Sequence, residues 1–312
     1  MKLRLEQLRR LASMPHRTIG LAILRLGLGF AGLMLYAEHL REAGFLWGTN
    51  GVLPYSAFAA AGHAPSLFSI SHAPAFEAGV YLFGAAVSGA FLLGWRTRLM
   101  TPLFWLCMWS LYARNPYLMD GGDNLLELVA FYMIFADCGA RLSLDALARR
   151  RRAPNAWSAM LHNYAALAIM LQLCLLYFTS GFFKAQGHVW QDGTAIYYIL
   201  RSAEFNLSAL GALFWRNAAV VTTLTWGTVI FELAWPFLIW GRRSRFAMVG
   251  GAVLLHAMIG YLMGLAWFSF IMIVVQAMAI DDSQYRRMAA AWRRGMAGLR
   301  ARRSQVSDLV GA

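Results

Sequence analysis

Eight apolar runs divide the chain, at about 18–36, 76–95, 99–113, 124–140, 158–183, 218–240, 246–264 and 266–280. A helix rises ~1.5 Å per residue, so ~20 apolar residues cross the hydrocarbon of a bilayer. The expected fold class is therefore all-α, a polytopic membrane helix bundle of about eight transmembrane helices. The third and eighth runs are short, which suits tilted, broken or re-entrant helices. Two long segments between runs, 40–75 and 185–217, are rich in aromatics and alanine. The prolines at 54, 65 and 74 and the amphipathic stretch Ala195–Ser202 suit interfacial helices. Such helices either form a lid over a site or simply cover the ends of the bundle.

Composition supports a membrane domain. Of 312 residues, 59% are hydrophobic and only 14% are charged, against about a quarter charged in soluble domains. No polar linker interrupts the apolar runs, so the expected organisation is a basic segment at 1–17, one transmembrane domain at 18–280 and a basic tail at 281–312. The first run is followed by Glu38, His39 and Arg41 rather than by small residues, so no cleavable signal peptide is expected.

The net charge of +13 sits in short arginine clusters between apolar runs, a membrane-anchoring pattern rather than a nucleic-acid interface. With the N-terminus inside, 22 of the 28 lysines and arginines fall in inner segments and five in outer ones, with Arg25 inside the first run. That asymmetry predicts cytoplasmic N- and C-termini in an inner (plasma) membrane. The basic termini are expected to lie on the inner surface, held by anionic membrane lipids.

Ionisable residues inside spans are costly and face a bundle interior or cavity. Arg25 and Glu232 lie at matching depths, ~12 Å from the inner end by residue count, and are expected to pair. A second group gathers near the outer ends of the spans: Arg114, Asn115, Asp120, Asp123 and Glu127, with Lys184. Asp120-Gly121-Gly122-Asp123-Asn124 also reads as a helix start, its side chains free to bond the first amides. Lys184 either snorkels to the interface or, partly desolvated, serves as a general base. His256, near the middle of the seventh run, needs a partner for each ring nitrogen and is either a satisfied core residue or a ligand contact.

Cys107, Cys138 and Cys174 all lie in apolar runs without Cys-x-x-Cys spacing, so buried inert thiols are expected, with no disulfide framework and no metal site. No phosphate loop, Gly-x-Ser-x-Gly, His-Glu-x-x-His or helical histidine pair is found.

Several stretches together resemble the HTTM family, the horizontally transferred transmembrane domain related to vitamin K-dependent gamma-carboxylase. They are Arg114-Asn115-Pro116-Tyr117-Leu118-Met119-Asp120-Gly121-Gly122-Asp123-Asn124, Cys138-Gly139, Ser143-Leu144-Asp145, Ser180-Gly181-Phe182-Phe183-Lys184, Trp190-Gln191-Asp192-Gly193-Thr194-Ala195, Phe231-Glu232-Leu233-Ala234-Trp235-Pro236, and His256 with Gly264, Phe268 and Met272. The carboxylase uses a lysine to deprotonate vitamin K hydroquinone, and its Gly-x-x-Lys looks like Gly181 to Lys184. The resemblance thus implies a quinol cofactor (menaquinol, ubiquinol or vitamin K type), with Lys184 as the catalytic base. Asn115, Asp120, Asp123, Glu127, His256, Trp190 and Asp192 would then form the substrate or quinone pocket. Where the carboxylase carries a functional histidine after asparagine, this chain has Pro116, and it stops soon after the eighth run. Glutamate carboxylation is accordingly not expected. A bacterial member of the family that takes part in maturing a sporulation-delaying peptide toxin implies the alternative, a non-catalytic maturation or export partner for a secreted peptide or a soluble protein. A transporter is disfavoured, since neither an inverted repeat nor paired broken spans are seen.

Overall fold

The computed structural model describes residues 14–62, 64–148, 155–205 and 210–310, with side chains as far as 297. The expected positions of Lys2 to Arg10 and Arg149 to Arg152 lie outside the described residues. Among the described residues nine longer helices carry the fold: α1 (Thr18–Glu38), α2 (Pro74–Leu93), α3 (Thr97–Arg114), α4 (Gly121–Met133), α5 (Ala156–Gln186), α6 (Ala218–Leu238), α7 (Ser244–Met263), α8 (Ala266–Val275) and α9 (Asp282–Val310). Among the described residues there is no strand.

Five of these helices, α1, α2, α5, α6 and α7, are long and apolar enough to cross a membrane. The other three expected spans fall short of that measure. α3 has 18 residues, but Arg98, Pro102 and Arg114 lower its apolar character. α4 ends at Met133 after 13 residues, well short of the expected 140. α8 has 10 residues; it continues through a 3-10 turn, and the chain then bends by 100° into α9. Eight spans are thus not what helix length and apolarity give.

Most helix starts are capped by a side chain from elsewhere in the bundle or from the preceding turn. The Asp282 carboxylate accepts from the Thr18 and Ile19 amides at 3.0 and 2.8 Å, at the start of α1. Asp145 does the same for Arg96 and Thr97 at the start of α3, at 2.9 and 2.7 Å. Asn155 caps α5 and Asn217 caps α6. These anions and amide oxygens meet the positive end of the helix dipole and satisfy amides that have no partner within the helix. α2 ends at Gly94, whose φ of +69° is strained for any other residue type.

Packing follows the chain. α1 lies against α2 and α8, α3 bridges α2 and α4, and α4 reaches α5 and α8. α5 packs on α6, and α7 joins α6 to α8. α1 is the most enclosed of the candidate spans, with Leu21, Leu24, Arg25 and Leu28 at 0% exposure. Cys107 and Cys138 are buried free thiols, and Cys174 is a half-buried one.

Candidate functional site

The predicted ion pair of Arg25 with Glu232 does not form. Arg25 instead donates to the backbone carbonyls of Phe91, Leu92, Cys138 and Leu142. Two of these close the C-terminal end of α2, so the guanidinium neutralises the negative end of a helix dipole and occupies carbonyls that have no partner within the helix. The same contacts hold the turn after α4, where the apolar run was expected to continue as helix. Equal depth along two helices did not identify partners, because α1 and α6 are not neighbours.

Glu232 meets Lys184 instead. Lys184 Nζ donates to both carboxylate oxygens of Glu232, at 2.9 and 2.7 Å, and to Ser180 Oγ at 2.5 Å. The two helices approach closely here because Gly181 faces Glu232: a Cβ at Gly181 would lie 3.0 Å from the Glu232 Cβ and 3.1 Å from the Leu233 amide. Ser180 and Lys184, one turn apart on α5, share a face of the helix. The Trp190 ring sits 5.4 Å from Nζ, in cation–π contact.

The pair is deeper than the count from α5 suggests. Glu232 lies 14 residues below Ala218, about 20 Å along α6 at its helical rise. The segment after α5 accounts for this by folding back along α6 instead of covering the end of the bundle. Trp226 Nε1 donates to the Gln191 carbonyl at 3.2 Å, and the Ile196 amide donates to Thr225 Oγ1 at 3.3 Å. Gly193, at φ +72°, makes the turn between the short helices His188–Gln191 and Ala195–Arg201.

These elements enclose a cavity of about 610 Å³ between α6, α7 and the helix Ala195–Arg201, and Lys184, Glu232 and Trp190 lie in its wall. The rest of the lining is almost wholly apolar, including Ile199, Phe231, Leu255 and Met258, with Gly227 leaving room and Gly251 admitting the Phe231 ring. Leu254 is 65% exposed and Leu224 37%, so the cavity opens sideways between α6 and α7, where lipid would lie. Its size is that of small-molecule and cofactor sites.

The other expected pocket residues lie elsewhere. Asn115 is buried and donates to the Leu46 carbonyl at 2.8 Å, while its neighbour Arg114 donates to Gly48 and Leu53. Both tie down the segment between α1 and α2. Asp120 and Asp123 form a capping box at the start of α4, and Tyr112 donates to Asp123 at 2.7 Å. Glu127 is half-buried on α4 and Asp192 is exposed; neither lines the cavity. His256 is one residue from the lining but turns away, bonding the Tyr177 hydroxyl at 3.1 Å and packing against Phe268. The sequence reading missed the α6 and α7 lining and Tyr177. Thr223, Gly227 and Thr228 were the available signal, small residues clustered on one span.

Long apolar helices packed side by side, with charges hidden between them, define a multi-pass helical membrane protein. Within that class the HTTM domain matches residues 15–283, and the chain belongs to the HTTM family. It is 26% identical over 183 residues to the sporulation-delaying protein SdpB of Bacillus subtilis, covering 53% of this chain and 52% of that one. It is 22% identical over 185 residues to YitO of the same organism, covering 58% of this chain and 60% of that one. The matched region is thus less than two thirds of either relative. No solved structure matches the chain.

Proposed function

We propose that this protein binds a lipid-borne quinol in the cavity between α6 and α7 and that Lys184 acts there as general base. The observation that carries this reading is the single polar pair in an otherwise apolar cavity that opens toward lipid. The lining suits a prenyl chain, and Lys184 with Glu232 suits the hydroxyl end. Such a cofactor would supply two protons and two electrons when bound. In this reading Lys184 Nζ hands its proton along the 2.7 Å bond to Glu232 and then takes one from the quinol hydroxyl. Trp190 packs over Nζ, and Ser180 Oγ accepts one of its N–H groups and so fixes the ammonium's orientation.

In this reading the bundle crosses the inner membrane eight times, with both termini in the cytoplasm and α3, α4 and α8 as shorter or tilted spans. The similarity to SdpB favours a second reading, a non-catalytic partner in the maturation or export of a secreted peptide. The two separate on a lipid extract of the detergent-purified protein. A stoichiometric prenylated quinone supports the first. A quinone-free extract, with function depending on segments 40–75 and 185–217 rather than on Lys184, supports the second.

A further inference from the structure

Just beneath the Lys184–Glu232 pair lies a layer of polar groups that neither reading uses. Tyr177 is on the same face of α5 as Gly181 and Lys184, one and two turns away. Its ring stacks on Trp235 at 4.5 Å between centroids. Its hydroxyl touches His256 Nε2 at 3.1 Å and Gln276 Nε2 at 3.1 Å. Tyr177, Trp235, His256 and Gln276 are 1%, 0%, 4% and 1% exposed.

The hydrogen-bond roles follow from the partners. Gln276 Nε2 also reaches the Met272 carbonyl at 3.2 Å, which accepts only, so the amide nitrogen is correctly placed and donates to Tyr177. The Tyr177 proton is then directed to His256 Nε2, and a neutral imidazole carries its own proton on Nδ1. Three atoms remain without a hydrogen-bond partner among the described residues: His256 Nδ1, Trp235 Nε1 and Gln276 Oε1. They amount to two donors and one acceptor, on three side chains that all touch Tyr177. A buried polar group without a partner is costly, and a water molecule, with two acceptor sites and two protons, complements the set.

We propose that Tyr177, Trp235, His256 and Gln276 hold ordered water in the core of the bundle, and that this hydrated layer passes protons to and from the Lys184–Glu232 pair. The transfer is balanced without any redox partner. His256 Nε2 takes the Tyr177 proton as Nδ1 releases its own to water, and the Tyr177 oxygen is reprotonated from the side of the pair. The relay rests on reading Lys184 and Glu232 as a proton-transfer pair, whereas the hydration does not.

The chain has only two lysines, Lys2 and Lys184, so 15N-lysine labelling isolates the pair by magic-angle-spinning NMR of the full chain in nanodiscs. Magnetisation transferred from water should reach Lys184 Nζ in the parent and build up severalfold more slowly in Tyr177→Phe and in His256→Leu/Gln276→Leu, with the Lys184 shift reporting that the pair is intact. Unchanged build-up in both variants would overturn the relay. Radiolytic hydroxyl footprinting of the same samples tests the water itself. Tyr177 and Trp235 should be oxidised severalfold faster than the equally buried Phe91 and Phe104, and protection equal to theirs would overturn the hydrated layer. Neither measurement needs a bound quinol, so the result stands whether or not quinol is found in the lipid extract.

Discussion

Lys184 and Glu232 depend on each other in a way that single substitutions expose. Removing either partner leaves the other charge unpaired among apolar side chains, at a cost of about 3–5 kcal/mol. Replacing both by apolar residues of similar volume should recover most of it. Thermal unfolding in detergent is therefore expected to show Lys184→Met and Glu232→Met each well below the parent, and the double variant near it. Equal Tm for all four would mean the pair is open to water. The sequence placed Glu232 inside an apolar run, and it left Lys184 either snorkelling to the interface or partly desolvated. It did not identify partners. Arg25 illustrates why: its partners are main-chain carbonyls, and no residue type announces those.

Helices were legible at the centres of the apolar runs and less so at their ends. α1, α2, α6 and α7 begin and end within a few residues of the expected limits, set by caps, glycines and arginine-rich turns. α4 ends at Met133, and Arg25 holds the Cys138 and Leu142 carbonyls of the turns that follow, a contact made from another helix. Residues 188–201 run back along α6; the sequence left them as interfacial helices that either form a lid over a site or cover the bundle ends, since a short amphipathic stretch looks the same in each position. Helix caps provide the prediction at this scale. Asp145 holds two amides and the Thr97 hydroxyl at the start of α3. Asp145→Ala should cost about 1–2 kcal/mol, and Asp145→Asn should restore much of it. Indistinguishable unfolding of Asp145→Ala and the parent would show that the cap adds nothing in the bundle.

At the scale of the whole molecule, charge and hydropathy predict an orientation across the membrane. Arg245, Asp281 and Arg17 form a linked cluster at one end, joined to the start of α1 through Asp282. Single cysteines placed at Ser71 and at the exposed Leu147 in a background lacking the native thiols should label from opposite sides, Ser71 from outside and Leu147 only after the inner face is opened. Labelling of both from outside would refute the orientation. The central claim, that the cavity beside Lys184 and Glu232 holds a lipid-borne ligand, is tested most directly by filling it. Gly227 lines the cavity, and a Cβ there meets no atom within 4 Å, so Gly227→Leu should fold normally while occupying the space. Native mass spectrometry of the protein released from membranes should show a bound prenylated quinone on the parent, lost from Gly227→Leu and weakened in Lys184→Ala. A parent carrying no such ligand, or a Gly227→Leu variant carrying as much as the parent, would contradict it.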